Sequence, residues 1–180
     1  MLSFHWRLGL SSGRGLSFSS ISQYGVSIVA PFFDNVDVTY GGNVFYRFIS
    51  DTENTTLDKV QQDIYTQYPN LGNSRPSIVF LATWDRVGPH YRSGSAADRN
   101  TFQVYLASNG TWSIVKFNYG DIEWSTSSTL VGVGAGFAPM HITHPASLNR
   151  QALRQLNGTS VLYRIDDGMF TDTKPIKTAV

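Results

Sequence analysis

The chain has 180 residues, with 14 Lys and Arg against 13 Asp and Glu, a formal charge of +1 and no cysteine. That length fits one domain with a real core, the charge balance leaves no nucleic-acid footprint or polybasic membrane patch, and the missing thiols exclude disulfides, thiolate metal sites and a cysteine nucleophile together. Charged residues make up 15% while Phe, Trp and Tyr reach 13%, so a surface short of the usual charged share of about 25% must be finished with Ser, Thr, Asn, Gly and aromatic rims.

The opening MLSFHWRLGLSSGRG carries a Trp-Arg pair and glycines where a signal peptide needs uninterrupted apolar residues; residues 1–14 read as an N-terminal strand or extension. No apolar run approaches the roughly 18 residues of a membrane-crossing helix. The first strand candidates are GLSFSS, SIVAPFF and NVFYRFI, short runs of β-branched and aromatic residues broken by Gly, Asn, Pro and Ser. Between the last two, Asp34 and Asp37, with Asn35, offer oxygens to a hard cation such as calcium. Against that, calcium takes about six to eight oxygens, and two carboxylates at this spacing on a strand face opposite ways. The alternative has Asp34 and Asn35 bonding local backbone at a strand end.

Next comes NTTLDKVQQDIYTQYP, where Leu57, Val60, Ile64 and Tyr68 fall at helical spacing, Thr55-x-x-Asp58 supplies a start signal and Pro69 a stop. SIVFLATWDRV begins continuously apolar, which predicts a central strand covered on both faces. TFQVYLA and TWSIVKFNY form a hairpin, with Asn109-Gly110 suited to a type I′ turn. VGVGAGF is a further strand; it lacks the helix and acidic partner of a dinucleotide fingerprint. In HITH, His141 and His144, joined by His90, are candidate zinc ligands, although zinc takes three or four and a loop histidine is ordinarily polar surface. A second helix is predicted over PASLNRQALRQLNG, with Ser147 as cap, Leu148, Ala152 and Leu156 on one face and Asn157-Gly158 as the stop. VLYRI is the last strand, and residues 167–180 lack periodicity and fall outside the core.

Catalytic signatures are absent: there is no G-x-S-x-G elbow, and Asp37, Asp121 and Glu123 would have to converge in space to act as paired carboxylates. Asn54, Asn109 and Asn157 head N-x-Ser/Thr sequons at turns or helix ends, where a glycan would sit exposed. Trp84, Trp112, Trp124 and Tyr119 are candidates for contact with a ligand or partner.

Several motifs occur in a shared order: Ala30-Pro31-Phe32-Phe33, Asp34 with Asp37, Gly41-Gly42-Asn43, Val44-Phe45-Tyr46-Arg47, then Tyr68-Pro69 and Thr83-Trp84. Asn100 to Gln103, Leu106 to Gly110, the aromatic strand with Tyr119, Ile122 and Trp124, Gly136-Phe137 and Tyr163 to Asp166 continue it. Together they resemble the NIDO domain, the extracellular module of nidogen and alpha-tectorin type proteins, over about Gly15 to Asp166. The sequence departs from that pattern at Ser160-Val161-Leu162, where the family carries Gly-x-Trp, and in the short segment from Val131 to His144.

The resemblance implies a mainly β (α+β) fold, an antiparallel β-sandwich-like core with two short helices. It implies no catalytic residues, no cofactor, and an extracellular role, secreted or tethered through other parts. Partners would be other matrix or membrane proteins or a second copy of the chain. Two readings compete: a binder of a small lipophilic ligand or glycan on the same scaffold, and, more distantly, a metal-dependent hydrolase around Asp34, Asp37 and the histidines.

Overall fold

The computed structural model describes residues 28–39, 41–49, 52–71, 75–90, 97–134, 141–165 and 171–172. The expected GLSFSS strand, residues 1–14, the Gly136-Phe137 pair, Asp166 and most of residues 167–180 lie outside them.

Among the described residues, ten strands and two α-helices follow in the order β1 (Ile28–Phe33), β2 (Val36–Asp37), β3 (Asn43–Ile49), α1 (Asn54–Gln67), β4 (Ile78–Pro89), β5 (Asn100–Ser108), β6 (Ser113–Ile122), β7 (Leu130–Gly134), β8 (His141–Thr143), α2 (Arg150–Arg154), β9 (Ser160–Arg164) and β10 (Thr171–Asp172). They build two antiparallel sheets. The small one runs β1-β7-β8; the large one runs β10-β9-β6-β5-β4, with β2 and β3 sharing the outer edge of β4. The fold is therefore the mainly β, sandwich-like architecture expected from the sequence.

The register sorts the large sheet's side chains into two faces, because alternate residues on a strand point opposite ways. Cross-strand rows such as Phe80–Leu106–Val115–Tyr163 and Ala82–Val104–Phe117–Val161 face the small sheet. They form the main core with Phe32, Val131, Val133 and Trp124. The opposite rows begin apolar, with Ile49–Val79–Ala107–Ile114, and pack against Leu57, Val60 and Ile64 of α1. Each of those helix side chains is almost wholly buried and contributes about 1.5–3 kcal/mol. The sheets are fastened by the Tyr119 hydroxyl, which donates to the Pro31 carbonyl at 2.7 Å. Burial holds that phenol's pKa well above its ordinary value, so it remains a donor.

Four local expectations are corrected. The hairpin has no two-residue turn: Ser108 pairs with Ser113, leaving a loop over residues 109–112 in which only Gly110 has positive φ. The Asn109 side-chain oxygen accepts from the Thr111 N–H, the Thr111 hydroxyl and the Trp112 N–H, and the longer loop lets Trp112 enter the core beneath α1. α1 begins after Glu53 with no side-chain cap. Thr55 is inside the helix, while Asn54 and Asp58 both accept from Arg75 instead of capping backbone. α2 starts at Arg150, capped by Asn149 through the Gln151 and Ala152 N–H groups. Ser147 is occupied elsewhere, exchanging bonds with Val131 of β7, and Leu148 at φ 63 cannot be helical. Finally, β4 is central as expected, but it is not covered on both faces throughout: Ile78 stays half exposed, and Phe80 and Leu81 only partly buried.

Candidate functional site

Two surface features stand out from this frame. The first is β3. Its sequence NVFYRFI is apolar at both parities, so an edge position necessarily leaves large side chains in water. Phe45 is 57% exposed, Tyr46 72% and Phe48 66%. Among the described residues β3 pairs only with β4, and its outer row of backbone donors and acceptors has no strand partner there. Phe48 and Tyr46 continue onto Phe80 at ring-centroid distances of 5.1 and 6.3 Å, and the half-exposed Ile78 extends the apolar surface along β4. Natural edges are commonly blunted by lysine, proline or bulges. Here the one charge within the strand, Arg47, is drawn to Glu53 at 2.6 Å.

The second is a cleft of about 530 Å³ between α1 and the large sheet. α1 covers the apolar rows but stops short of the polar row Thr83–Gln103–Asn118. Gln103 donates to Thr83 at 2.8 Å and accepts from Asn118 at 3.3 Å. On the neighbouring row the Lys116 ammonium donates to Asp63 of α1 at 2.7 Å, and the Tyr105 hydroxyl approaches the same carboxylate oxygen at 3.4 Å. Burial, and then the Asp63 charge, raise the Tyr105 pKa well above its ordinary value.

The residues singled out in the sequence are scattered around these features. Asp34 accepts from the Asn35 N–H at 2.8 Å, the local bond of the Asx reading, and from the hydroxyls of Thr126 and Thr129 across the small sheet. Asp37 accepts from the Thr39 N–H and hydroxyl, and its other oxygen lies 3.3 Å from His90 Nδ1. His141 is placed at the start of β8, opposite Gly134. His144 is buried, with Nδ1 accepting from the Ala146 N–H at 3.1 Å. Among the described residues no three or more His, Asp or Glu side chains are grouped to hold a metal ion.

Trp84 is partly buried and stacks on Phe102 at 5.0 Å. Trp112, Trp124 and Tyr119 are core residues, and the Trp124 indole donates to the Val87 carbonyl at 3.0 Å. Asn54 and Asn157 are exposed and Asn109 is half-buried, the amide oxygen of each already accepting a hydrogen bond. Asp121 and Glu123 are both exposed, and Glu123 accepts from the Arg99 N–H.

Of the expected contact residues, Tyr119 lines the cleft, and none belongs to the β3 patch. Part of each feature was legible, as apolarity at both parities of NVFYRFI and as polar Gln103, Lys116 and Asn118 at the same parity as Tyr105 and Ile114, but not the edge position or the crossing of α1.

The Asp37 arrangement has a titration consequence. The Thr39 hydroxyl and N–H favour the carboxylate, with a smaller contribution from His90, so its pKa lies below the ordinary 3.8. A group with a depressed folded-state pKa stabilises the fold above its unfolded pKa, and that contribution is lost as pH falls through the folded value. Carboxyl-carbon NMR of Asp37 should therefore give a midpoint below 3.8, and Thr39→Ala should move it upward. An unshifted midpoint in both proteins would contradict these bonds.

Comparison with known proteins follows the same lines. The NIDO (Nidogen-like domain) family pattern matches residues 12–160. Human (Homo sapiens) alpha-tectorin is 31% identical over 134 residues, covering 69% of this chain and 6% of that protein. Dendrite extension defective protein 1 of Caenorhabditis elegans is 31% identical over 132 residues, 72% of this chain and 11% of that protein. Nidogen-1 of Rattus norvegicus is 35% identical over 98 residues, 52% of this chain and 29% of the relative. The chain thus corresponds to a small part of each of these relatives, and no solved structure gives a significant match. With the pattern running from before β1 into β9, the chain belongs to the nidogen-like domain family.

Proposed function

We propose that this nidogen-like domain is a non-enzymatic structural module of the extracellular matrix or cell surface, and that it self-associates by joining the β3 edges of two copies. The observation that carries the reading is the exposed, unblunted β3 edge with Phe45, Tyr46 and Phe48. Edge-to-edge pairing supplies backbone hydrogen bonds and buries the aromatic side chains at once.

The strand's own register supports a second copy as the occupant. An antiparallel pair centred on Tyr46 sets Val44 against Phe48 and Phe45 against Arg47, so the one cation of the strand meets an aromatic ring instead of itself. Such an interface is isologous and closes as a dimer. A formal charge of +1 leaves little repulsion between copies. Membership of the nidogen-like family supports the extracellular setting, where glycans on Asn54, Asn109 or Asn157 would be carried, and matrix or membrane proteins would be the wider partners.

Sedimentation equilibrium tests the proposal. The wild-type domain should show a dimer at submillimolar concentration, and Tyr46→Lys should weaken association at least about tenfold by placing two ammonium groups face to face. A wild-type protein that stays monomeric, or a dimer indifferent to Tyr46→Lys and Phe48→Lys, would remove the self-association reading.

A further inference from the structure

The cleft beneath α1 is more elaborate than a helix seat requires. Leu57, Val60 and Ile64 dock α1 together with ion pairs to Lys116 and Arg75, yet the sheet continues past them into a row of amides and a hydroxyl. We propose that this cleft is a binding site for an uncharged saccharide, taking one terminal sugar of a glycan between α1 and the β5–β6 floor.

Unfilled hydrogen-bonding capacity is the first support. Lys116 has one partner among the described residues, Asp63, reached through one carboxylate oxygen. Two of its N–H groups, the other Asp63 oxygen and the Asn118 side-chain oxygen have no protein partner there. The cleft therefore presents donors and acceptors side by side. A sugar hydroxyl both donates and accepts, so one hydroxyl can give its proton to Asp63 while accepting from Lys116, and its neighbour on the ring can donate to Asn118. Lipids have no comparable set of hydroxyls, and a purely apolar ligand would leave these groups desolvated without partners.

Charge is the second. The Lys116 ammonium and the Asp63 carboxylate neutralise each other at 2.7 Å. A small anion at Lys116 would lie against the Asp63 carboxylate, and a small cation at Asp63 against the Lys116 ammonium, so each meets like charge beside the group that attracts it. A neutral polyol can add bonds to both without separating them. Shape is the third. About 530 Å³ lies within the usual range of ligand pockets, and the partly buried Leu81 contributes an aliphatic patch to the wall where the C–H face of a sugar ring can lie.

The test is an NMR titration of the full chain with methyl glycosides of glucose, galactose, mannose and N-acetylglucosamine, following the side-chain amide signals of Gln103 and Asn118. At least one glycoside should shift both signals saturably in the millimolar range. Asn118→Ala should weaken that binding about tenfold, the effect of one lost hydrogen bond, with the backbone spectrum elsewhere unchanged. A second variant, Lys116→Met, keeps the side chain's length and should also lose the shift at Gln103. The proposal is overturned if none of the four glycosides shifts these signals, if the shift survives Asn118→Ala, or if sodium acetate or methylammonium reproduces it.

Discussion

Replacing Asn100 by leucine is expected to destabilise the domain by about 3–5 kcal/mol, although the two side chains are similar in size. Asn100 has no solvent exposure. Its amide nitrogen donates to the Trp124 carbonyl at 2.9 Å, and its oxygen accepts from the Glu123 and Trp124 N–H groups at 2.9 and 3.0 Å. One side chain thus satisfies backbone groups of the segment that leaves β6, just past the register shift between Asn100 and Phe102. Leucine would strand them, and each buried group left without a partner costs about 1–3 kcal/mol. Those bonds also hold Trp124 against Phe32, whose ring it meets edge-on at 5.2 Å. Urea denaturation with near-ultraviolet circular dichroism should show a lower midpoint and a weaker tryptophan signal. A loss under about 1 kcal/mol would mean that the segment is held by other contacts.

Gly132→Ala should cost about 2–4 kcal/mol for a different reason. Gly132 lies in β7, the middle strand of the small sheet, paired with Ala30 on one side and Thr143 on the other. A β-carbon there would stand 2.1 Å from the Ile142 carbonyl oxygen. The obstacle is backbone, so no rotamer change relieves it, and β8 must move away from β7. Gly110→Ala is the matched control. Its φ of +91 strains an L-residue, but nothing lies within 4 Å of the new methyl group, so the loss should be limited to about 1–2 kcal/mol. Gly132 also has positive φ, at +157, so thermal unfolding of both variants shows what the backbone collision adds to strain. Equal losses would show that the β7–β8 approach is looser than its register indicates.

The fold was largely legible because periodicity and motif order report on the same constraint, burial of one face. Leu57, Val60 and Ile64 announced α1 by spacing alone, and the structure buries all three. The ends of elements were less legible, since they depend on competition for side-chain hydrogen bonds. Ser147 is a good cap in isolation, but Val131 binds its hydroxyl and Asn149 caps instead. Asn109-Gly110 is a good tight turn in isolation, but burial of Trp112 lengthens the loop.

The candidate surfaces were hidden for a further reason. Nothing in NVFYRFI says that it will be an edge, and Asp63 and Lys116 are 53 positions apart. Only the pairing order reveals the first, and only the crossing of α1 over β6 reveals the second. Trp124 and Tyr119 hold the sheets together through Phe32 and Pro31 of β1, although Tyr119 also lines the cleft.

The unaided ends of α1 bear on how the domain breathes. With no side-chain cap, no acidic residue in its first turn and no basic residue in its last, the helix draws little stability from its own termini. It is held by one apolar stripe, the Asp63 bonds to Lys116 and Tyr105 and the exposed Arg75 bonds to Asn54 and Asp58, whereas β5 and β6 are laced into a sheet on both sides. A layer attached in this way can lift from the sheet as a unit at a free energy below that of global unfolding. A molecule in the cleft, touching both α1 and the sheet, would then oppose that lifting and hold the helix in place.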